Sequence, residues 1–216
     1  MKPKVVVLGA GGHAKVVIET LEEQGCYEIA GCTSALQDVP DVLGYPILGN
    51  DDLLPELYDR GLRYAMPAIG DNAGRRRAGL RACEIGFELA TAVSPRAAVS
   101  ARARLGQGIL IVRGAVVNAL ASVGDGTIIN TGATVDHDCD VGPWVHVAPG
   151  VHLAGGVRVG EGALLGIGSS VLPGICVGAW ARVGAGAAVT GDVPDGATVV
   201  GVPARVLAPR EPSSER

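Results

Sequence analysis

The chain has 216 residues, of which 48% are hydrophobic and 33 are glycine, and its formal net charge is −4 at pH 7. This length can bury a core in one or two domains, and the acidic balance argues against nucleic acid as a partner. No stretch predicts a signal peptide, and no apolar run predicts a membrane span. The five cysteines are odd in number and have no CxxC spacing, which favours the reducing cytoplasm over a disulfide framework or a zinc site.

The chain starts with the pattern of a buried strand, Lys4–Leu8, followed at once by the glycine-rich turn Gly9–Ala14. The apolar spacing of Ala14–Gln24 predicts a helix that stops at Gly25, and Ile29–Cys32 predicts a second strand. Strand, glycine turn, helix and strand are typical of a Rossmann-like unit, whose backbone N–H groups bind phosphates at the start of the helix.

The end of the second strand departs from the dinucleotide-binding pattern. An acidic residue usually stands there to bind the ribose, whereas this chain has Thr33 and Ser34. A glycine fingerprint alone is a weak signal, so we favour binding of a nucleotide-linked sugar over binding of a dinucleotide.

The rest of the N-terminal region, up to residue 92, continues the α/β pattern. It predicts a short helix at Asp51–Arg60 and strands at Tyr64–Ile69 and Phe87–Ala92. We interpret the arginines Arg75–Arg77 as a solvated helix face, and the alternative is that Arg75 contacts a phosphate. No Pro/Ser linker follows, so we expect residues 1–92 to form a domain that docks closely and caps the open edge of the next one.

From Val93 onward an aliphatic residue occupies every sixth position without interruption. The seventeen positions, called stations below, are Val93, Val99, Leu105, Ile111, Val117, Val123, Ile129, Val135, Val141, Val147, Leu153, Val159, Leu165, Val171, Val177, Val183 and Val189. A fixed six-residue period is typical of a β-solenoid, and a helical period would not produce it. Three such rungs would make one triangular coil of about eighteen residues, with successive coils paired as parallel strands.

The residue after each station is usually Gly, Asn or Asp, such as Gly124, Asn118 and Asp136. We interpret these as corner residues with positive φ. Residues 93–208 are then an all-β parallel solenoid with a C-terminal cap, and residues 209–216 are expected to be a disordered tail.

His137 is the strongest candidate for chemistry, because it lies between Asp136 and Asp138 and one coil before Gly155. An imidazole beside carboxylates and a glycine backbone suits a general base with an N–H donor close by. A surface histidine in a polar corner is an equally weighted alternative. Because a corner explains Asp136, we take Asp138 as the residue that orients His137.

Other ring-bearing residues are interpreted by their coil positions. His146 and His152 fall on different faces, so one chain cannot place three histidines on a metal, and no metal is expected. Trp144 and Trp180 fall on one side, two coils apart, which favours packing at a subunit contact over stacking on a ligand.

Taken together, these residues resemble the left-handed hexapeptide-repeat acyltransferases, in the branch with a Rossmann-like N-terminal domain. The segment Ile128–Cys139 is similar to the catalytic signature of that branch, and Gly9–Ala14, Ala68–Asn72 and Gly201–Ala204 match its other motifs. The resemblance covers nearly the whole chain. It is to N-acetyltransferases of nucleotide-linked 4-amino sugars, of the GDP-perosamine and UDP-N-acetylbacillosamine type, and to sialic acid O-acetyltransferases.

This resemblance implies a left-handed parallel β-helix, a homotrimer, acetyl-CoA in a groove between neighbouring solenoids, and direct transfer with His137 as base and Asp138 as its partner. The acetyl-CoA contacts it implies are His146, Gly155, Ile167 and Ala185. The nucleotide-sugar contacts it implies are Gly11, Gly12, His13 and Gly70, with Thr33 and Ser34 where family members often carry acidic residues.

We therefore expect an acetyl-CoA-dependent N-acetyltransferase that acts on the 4-amino group of a nucleotide-linked 4-amino-4,6-dideoxy sugar. Each site is expected to join the glycine turn of one chain to His137 of its neighbour. The alternatives are a sialic acid-type O-acetyltransferase, a γ-carbonic-anhydrase-like solenoid and a non-catalytic nucleotide-sugar sensor. The nucleotide, GDP, UDP or dTDP, stays open.

Overall fold

The computed structural model describes residues 2–34 and 40–207; the predicted tail at 209–216 lies outside the described residues. The N-terminal elements are β1 (Lys4–Leu8), α1 (Gly12–Gln24), β2 (Glu28–Thr33), β3 (Asp41–Val42), β4 (Tyr45–Gly49), a 3-10 turn (Asp51–Leu53), α2 (Leu54–Asp59), β5 (Tyr64–Pro67), α3 (Asn72–Ile85) and β6 (Glu88–Leu89). Within the described ranges, no helix has the length and apolarity needed to cross a membrane.

These elements form a six-stranded sheet, in the order β3-β4-β2-β1-β5-β6, with helices on both faces. Alternation along β1 explains the two layers: Val5 and Val7 pack in the cluster that contains α1, whereas Val6 and Leu8 pack in the cluster that contains α2 and α3. The predicted strand at Lys4–Leu8 is confirmed, and α1 begins two residues earlier than predicted. The sequence interpretation missed β3 and β4, which add an antiparallel pair at the edge.

Seventeen two-residue strands follow, and each ends at one of the aliphatic stations. They are β7 (Ala92–Val93), β8 (Ala98–Val99), β9 (Arg104–Leu105), β10 (Leu110–Ile111), β11 (Val116–Val117), β12 (Ser122–Val123), β13 (Ile128–Ile129), β14 (Thr134–Val135), β15 (Asp140–Val141), β16 (His146–Val147), β17 (His152–Leu153), β18 (Arg158–Val159), β19 (Leu164–Leu165), β20 (Ser170–Val171), β21 (Cys176–Val177), β22 (Arg182–Val183) and β23 (Ala188–Val189).

From β7 to β20, each strand pairs in parallel with the strand eighteen residues later, which produces the three sheets of a triangular solenoid. The first sheet runs from β7 to β22, the second from β8 to β23 and the third from β9 to β21. The upper end of the first sheet continues with β24 (Thr198–Val200) and the antiparallel β25 (Arg205–Val206). Every station from Ile111 to Val189 is buried, so the predicted solenoid core is confirmed.

The predicted corner positions are wrong in detail. Positive φ occurs three residues after a station, as at Gly132 and Gly150, rather than one residue after it. The glycines directly after stations are explained by lack of space for a side chain. A Cβ on Gly124 would lie 2.6 Å from the backbone nitrogen of Pro143 in the next coil. These glycines therefore allow adjacent coils to approach each other.

The N-terminal domain docks on the flank of the solenoid and does not cap its end, which corrects our expectation. The outward residues Leu110 and Ile128 of the first sheet pack in the same cluster as α1. Val99 and Leu105 of the first coil stay partly exposed, Leu105 by 36%. Trp144, expected at a subunit contact, is only 5% exposed and packs in the cluster that contains α3.

Arg75 fixes this docking, and neither of its predicted roles is correct. Its side chain is 1% exposed, so it is not part of a solvated face. It donates to the carbonyl oxygens of Gly126 and Trp144, both at 2.8 Å, and to that of Ile69 at 3.1 Å. Burial lowers the pKa of the guanidinium to about 10. Its donors are taken up by protein acceptors instead of a phosphate.

Asn72 extends the same contact upward, because its amide donates to the carbonyl oxygens of Gly162 and Ala163, both at 3.0 Å. Gly126, Trp144 and Gly162 hold equivalent places in three successive coils. Two side chains from the first turn of α3 thus bind a vertical column of carbonyl groups.

We predict that Gly124→Ala destabilises the solenoid by on the order of 2–3 kcal/mol, because the new methyl group overlaps the backbone of the next coil. Gly191→Ala is the matched control, since a Cβ there meets nothing within 4 Å. Thermal melting of both variants measures the effect. Equal melting temperatures for the two would contradict the close-approach explanation.

Candidate active site

His137 lies on the edge between the second and third sheets, in the turn from β14 to β15. Its Nδ1 is 2.8 Å from Oδ2 of Asp138, and its backbone N–H donates to Oδ1 of Asp136 at 2.8 Å. Asp136 also accepts from the Asn118 amide of the coil below at 2.9 Å. The His137 side chain is 63% exposed, so its Nε2 can meet a ligand.

Asp138 has a left-handed backbone conformation that the sequence analysis did not predict for it. Its φ is 58°, at the place in the rung where other turns have glycine. Aspartate is among the few side chains that adopt this left-handed conformation readily. The pairing of Asp138 with His137 was predicted. The sequence analysis, however, assigned the corner conformation to Asp136, whereas the structure has it at Asp138.

The charges around the imidazole suit a general base. The hydrogen bond that His137 donates to Asp138 raises the pKa of the imidazole above its ordinary value, and the charge of Asp136 adds to the effect. In the neutral form, Nδ1–H is held by Asp138 and the lone pair is on Nε2. The base atom is therefore the one that faces away from the carboxylate.

Gly155 lies next to this imidazole in the following coil, as expected. A Cβ on Gly155 would be 2.7 Å from Nε2 of His137. The N–H of Gly155 makes no hydrogen bond within the part of the chain that the structure describes. A free backbone donor beside the base is the arrangement that stabilises an oxyanion.

The other residues implied for acetyl-CoA lie elsewhere in the chain. Ile167 and Ala185 occupy the edge between the first and second sheets, where Ile167 is 62% exposed. His146 extends from the face of the first sheet. One chain therefore does not bring these three residues to His137, and their contacts with acetyl-CoA stay predictions.

A cleft of about 460 Å³ opens at the carboxyl ends of β1, β2 and β5. All six residues implied for the nucleotide sugar line it: Gly11, Gly12, His13, Thr33, Ser34 and Gly70. The start of α1 directs its unpaired backbone N–H groups toward a ligand in such a cleft. The sequence interpretation missed Asp51, which also lines the cleft and follows the unrecognised strand β4.

His13 and His146 meet beside this cleft, with ring centroids 6.2 Å apart. Burial, followed by the charge of Arg75, lowers the pKa of His13 to about 4 and that of His146 to about 3. Both rings are thus neutral near pH 7. Nε2 of His13 is buried with no hydrogen-bond partner among the described residues, so it fits a polar group of a bound ligand.

Across residues 2–34 and 40–207, no three His, Cys, Asp or Glu side chains are grouped so that they could hold a metal ion.

Comparisons with known proteins agree with this geometry. Residues 4–79 match the family model of the PglD N-terminal domain. GDP-perosamine N-acetyltransferase from Caulobacter crescentus, solved as a histidine-to-alanine mutant with CoA and GDP-perosamine, is 46% identical, with a TM-score of 0.93 over 95% of this chain and 97% of that chain. No curated protein sequence gives a match.

Two further structures are similar over almost the whole chain. The acetyltransferase domain of PglB from Neisseria gonorrhoeae FA1090, in complex with acetyl coenzyme A, is 40% identical, with a TM-score of 0.91 over 96% of this chain and 100% of that domain. WeeI from Acinetobacter baumannii AYE is 25% identical, with a TM-score of 0.85 over 95% of this chain and 100% of that one.

The fold and the site define a left-handed β-helix acyltransferase with an N-terminal α/β domain, as expected from the sequence. Within that class, the chain belongs to the family of acetyl-CoA-dependent N-acetyltransferases of nucleotide-linked amino sugars, together with GDP-perosamine N-acetyltransferase and the PglB acetyltransferase domain.

We predict that Asp138→Asn lowers the pKa of the His137 imidazole, because a neutral amide stabilises the imidazolium less than a carboxylate does. The neutral base then forms at lower pH than in the wild type. Asp136→Asn, the matched control, should lower the same pKa less, since its charge is the smaller of the two causes. NMR titration of the imidazole measures both, and a larger change in the control would reverse the assignment.

Proposed function

We propose that this chain transfers the acetyl group of acetyl-CoA to the 4-amino group of a nucleotide-linked 4-amino-4,6-dideoxy sugar. The observation that carries the proposal is the imidazole of His137, held by Asp138 at 2.8 Å and lying beside the free N–H of Gly155. A relative that is 46% identical is a GDP-perosamine N-acetyltransferase, solved with CoA and GDP-perosamine. The cleft at the glycine turn supplies the matching acceptor site.

The proposed mechanism is a single direct transfer. The neutral sugar amine attacks the thioester carbonyl carbon, and Nε2 of His137 takes the proton that the amine loses. The N–H of Gly155 donates to the oxyanion of the tetrahedral intermediate. When the intermediate collapses, the C–S bond breaks, and the proton passes from His137 to the departing thiolate of CoA. Asp138 stabilises the imidazolium between these two steps.

The active unit we propose is a homotrimer whose sites lie between chains. His137 occupies one edge of the solenoid, whereas Ile167 and the domain that carries the nucleotide cleft lie beyond another edge or face. A threefold arrangement lets the edge of one chain face a different edge of the next, which joins these residues across a groove. Since all five cysteines are free thiols, we place the trimer in the cytoplasm, where thiols stay reduced.

The reaction is tested with acetyl-CoA and GDP- or UDP-linked 4-amino-4,6-dideoxy sugars, and with matching 4-hydroxy sugars. We expect acetylation of the amine alone.

His137→Ala should lower kcat by roughly 10²–10⁴-fold with an unchanged melting temperature, because the base is lost and the side chain is exposed. Acetylation of hydroxyl acceptors only would favour the O-acetyltransferase, and wild-type kcat in the variant would exclude His137 as the base.

Sharing of sites between chains is tested by mixing two inactive variants. His137→Ala lacks the base, and Gly12→Asp places a carboxylate at the phosphate-binding turn, where a Cβ meets nothing within 4 Å. Co-expression with two affinity tags yields hybrid trimers. If each site uses the turn of one chain and His137 of its neighbour, one of the three sites in each hybrid, about a third, regains both intact parts. Hybrids as inactive as the separate variants would show that each site lies within one chain.

A further inference from the structure

Asp51 is the one acidic residue that lines the nucleotide cleft, among the residues the structure describes. We propose that Asp51, oriented by Thr33, binds the ribose hydroxyl groups of the nucleotide, so that the cleft selects ribonucleotide-linked sugars over 2′-deoxyribonucleotide-linked ones. This inference rests on the proposed function, which assigns a nucleotide to the cleft. It narrows the acceptor to a chemical class, since a dTDP-linked sugar lacks the 2′-hydroxyl group.

The fold brings the Asp51 carboxylate to the end of β2 from the neighbouring strand. β4 pairs with β2 in parallel, with Thr33 opposite Gly49, and Asp51 follows two residues after the end of β4. The hydroxyl group of Thr33, which is fully buried, donates to Oδ1 of Asp51 at 2.6 Å. The end of β2, where acidic residues were missing from the sequence, thus receives a carboxylate from another element.

The position of this carboxylate along the sheet indicates which part of the nucleotide it meets. Phosphates bind at the start of α1, directly after β1, and β2 is the next strand in the sheet. In Rossmann-like sites, the acidic group at the end of the second strand binds the ribose 2′-hydroxyl. Oδ2 of Asp51 has no hydrogen-bond partner within the described part of the chain, so it is free to accept from that hydroxyl.

The structural roles that could explain Asp51 belong to its neighbours. The cap of the 3-10 turn is Asn50, whose side chain accepts from the N–H of Asp52 at 3.0 Å. The ion pair of this segment joins Asp52 to Arg81 at 2.8 Å. Asp51 forms no ion pair with the described residues, and its one side-chain hydrogen bond is the one from Thr33. The pKa of Arg81 is raised mainly by its hydrogen bond to Asp52, and the charge of Asp51 adds to this. Asp51 also lines the nucleotide cleft, and within the described ranges no hydrogen bond uses its Oδ2 atom.

Calorimetric titration of the intact protein with GDP, 2′-deoxy-GDP, UDP and 2′-deoxy-UDP tests the inference. The wild type should bind each ribonucleotide at least about tenfold more tightly than its deoxy counterpart, the effect of one hydrogen bond to a charged group. Asp51→Ala should reduce that ratio to about one, and Asp51→Asn, which keeps the shape, should leave an intermediate ratio. Thr33→Val should also reduce it, because the carboxylate loses its orienting donor. Asp52→Asn is the matched control and should keep the wild-type ratio.

Binding and acetyl transfer are measured separately, which distinguishes this inference from the proposed function. If the wild type does not discriminate, or if folded Asp51→Ala and Asp51→Asn both keep the wild-type ratio, the inference is overturned while acetyl transfer can still stand. If the ratio collapses as expected but the wild type transfers no acetyl group, the ribose contact holds and the proposed function fails. An absence of binding by all four nucleotides would also overturn the inference, and the acetyl-transfer assay would still decide the proposed function separately.

Discussion

The register between successive coils is the constraint on which the rest of the structure depends. Because the strands from β7 to β20 each pair with the one eighteen residues later, residues far apart in sequence stack in vertical columns along the edges of the solenoid. One column places Gly155 beside His137, and another presents the carbonyl groups of Gly126, Trp144 and Gly162 to the N-terminal domain. A slip of one residue would turn the buried stations outward and dissolve both columns at once.

The buried guanidinium of Arg75 uses one of these carbonyl columns to fix the N-terminal domain against the solenoid. Removing a charge from water is unfavourable unless hydrogen bonds compensate for it, and here carbonyl groups from both domains do so. The same charge, after burial, helps to keep His13 and His146 neutral beside the cleft. Arg75 therefore contributes both to docking and to the electrostatics of the acceptor site.

Periodic features of the fold were predictable from sequence, and features formed by long-range packing were not. Seventeen aliphatic stations at one spacing define the solenoid, and spacing alone brings Gly155 to His137. The burial of Arg75 and Trp144 could not be predicted from spacing, because it depends on which flank of the solenoid the N-terminal domain covers. Asp51 was missed for a related reason: the short strand β4 has little alternation, and its partner is β2. The cleft residues Gly11, Gly12 and His13 came from a motif, which local sequence carries.

The triangular cross-section also restricts insertions and deletions in the solenoid to whole coils of three rungs. Inserting one rung of six residues would turn everything above it by a third of a revolution, so the residues on one edge would move to the next and every column would break at that level. Inserting three rungs would restore the orientation and raise the upper part by roughly 4.8 Å, the spacing of paired strands. Asn72 binds the carbonyl group of Gly162, the highest of the three in this column. A whole coil inserted between Gly126 and Gly162 would therefore move this carbonyl out of reach of α3. Above that level, whole coils could be gained or lost without disturbing the docked domain.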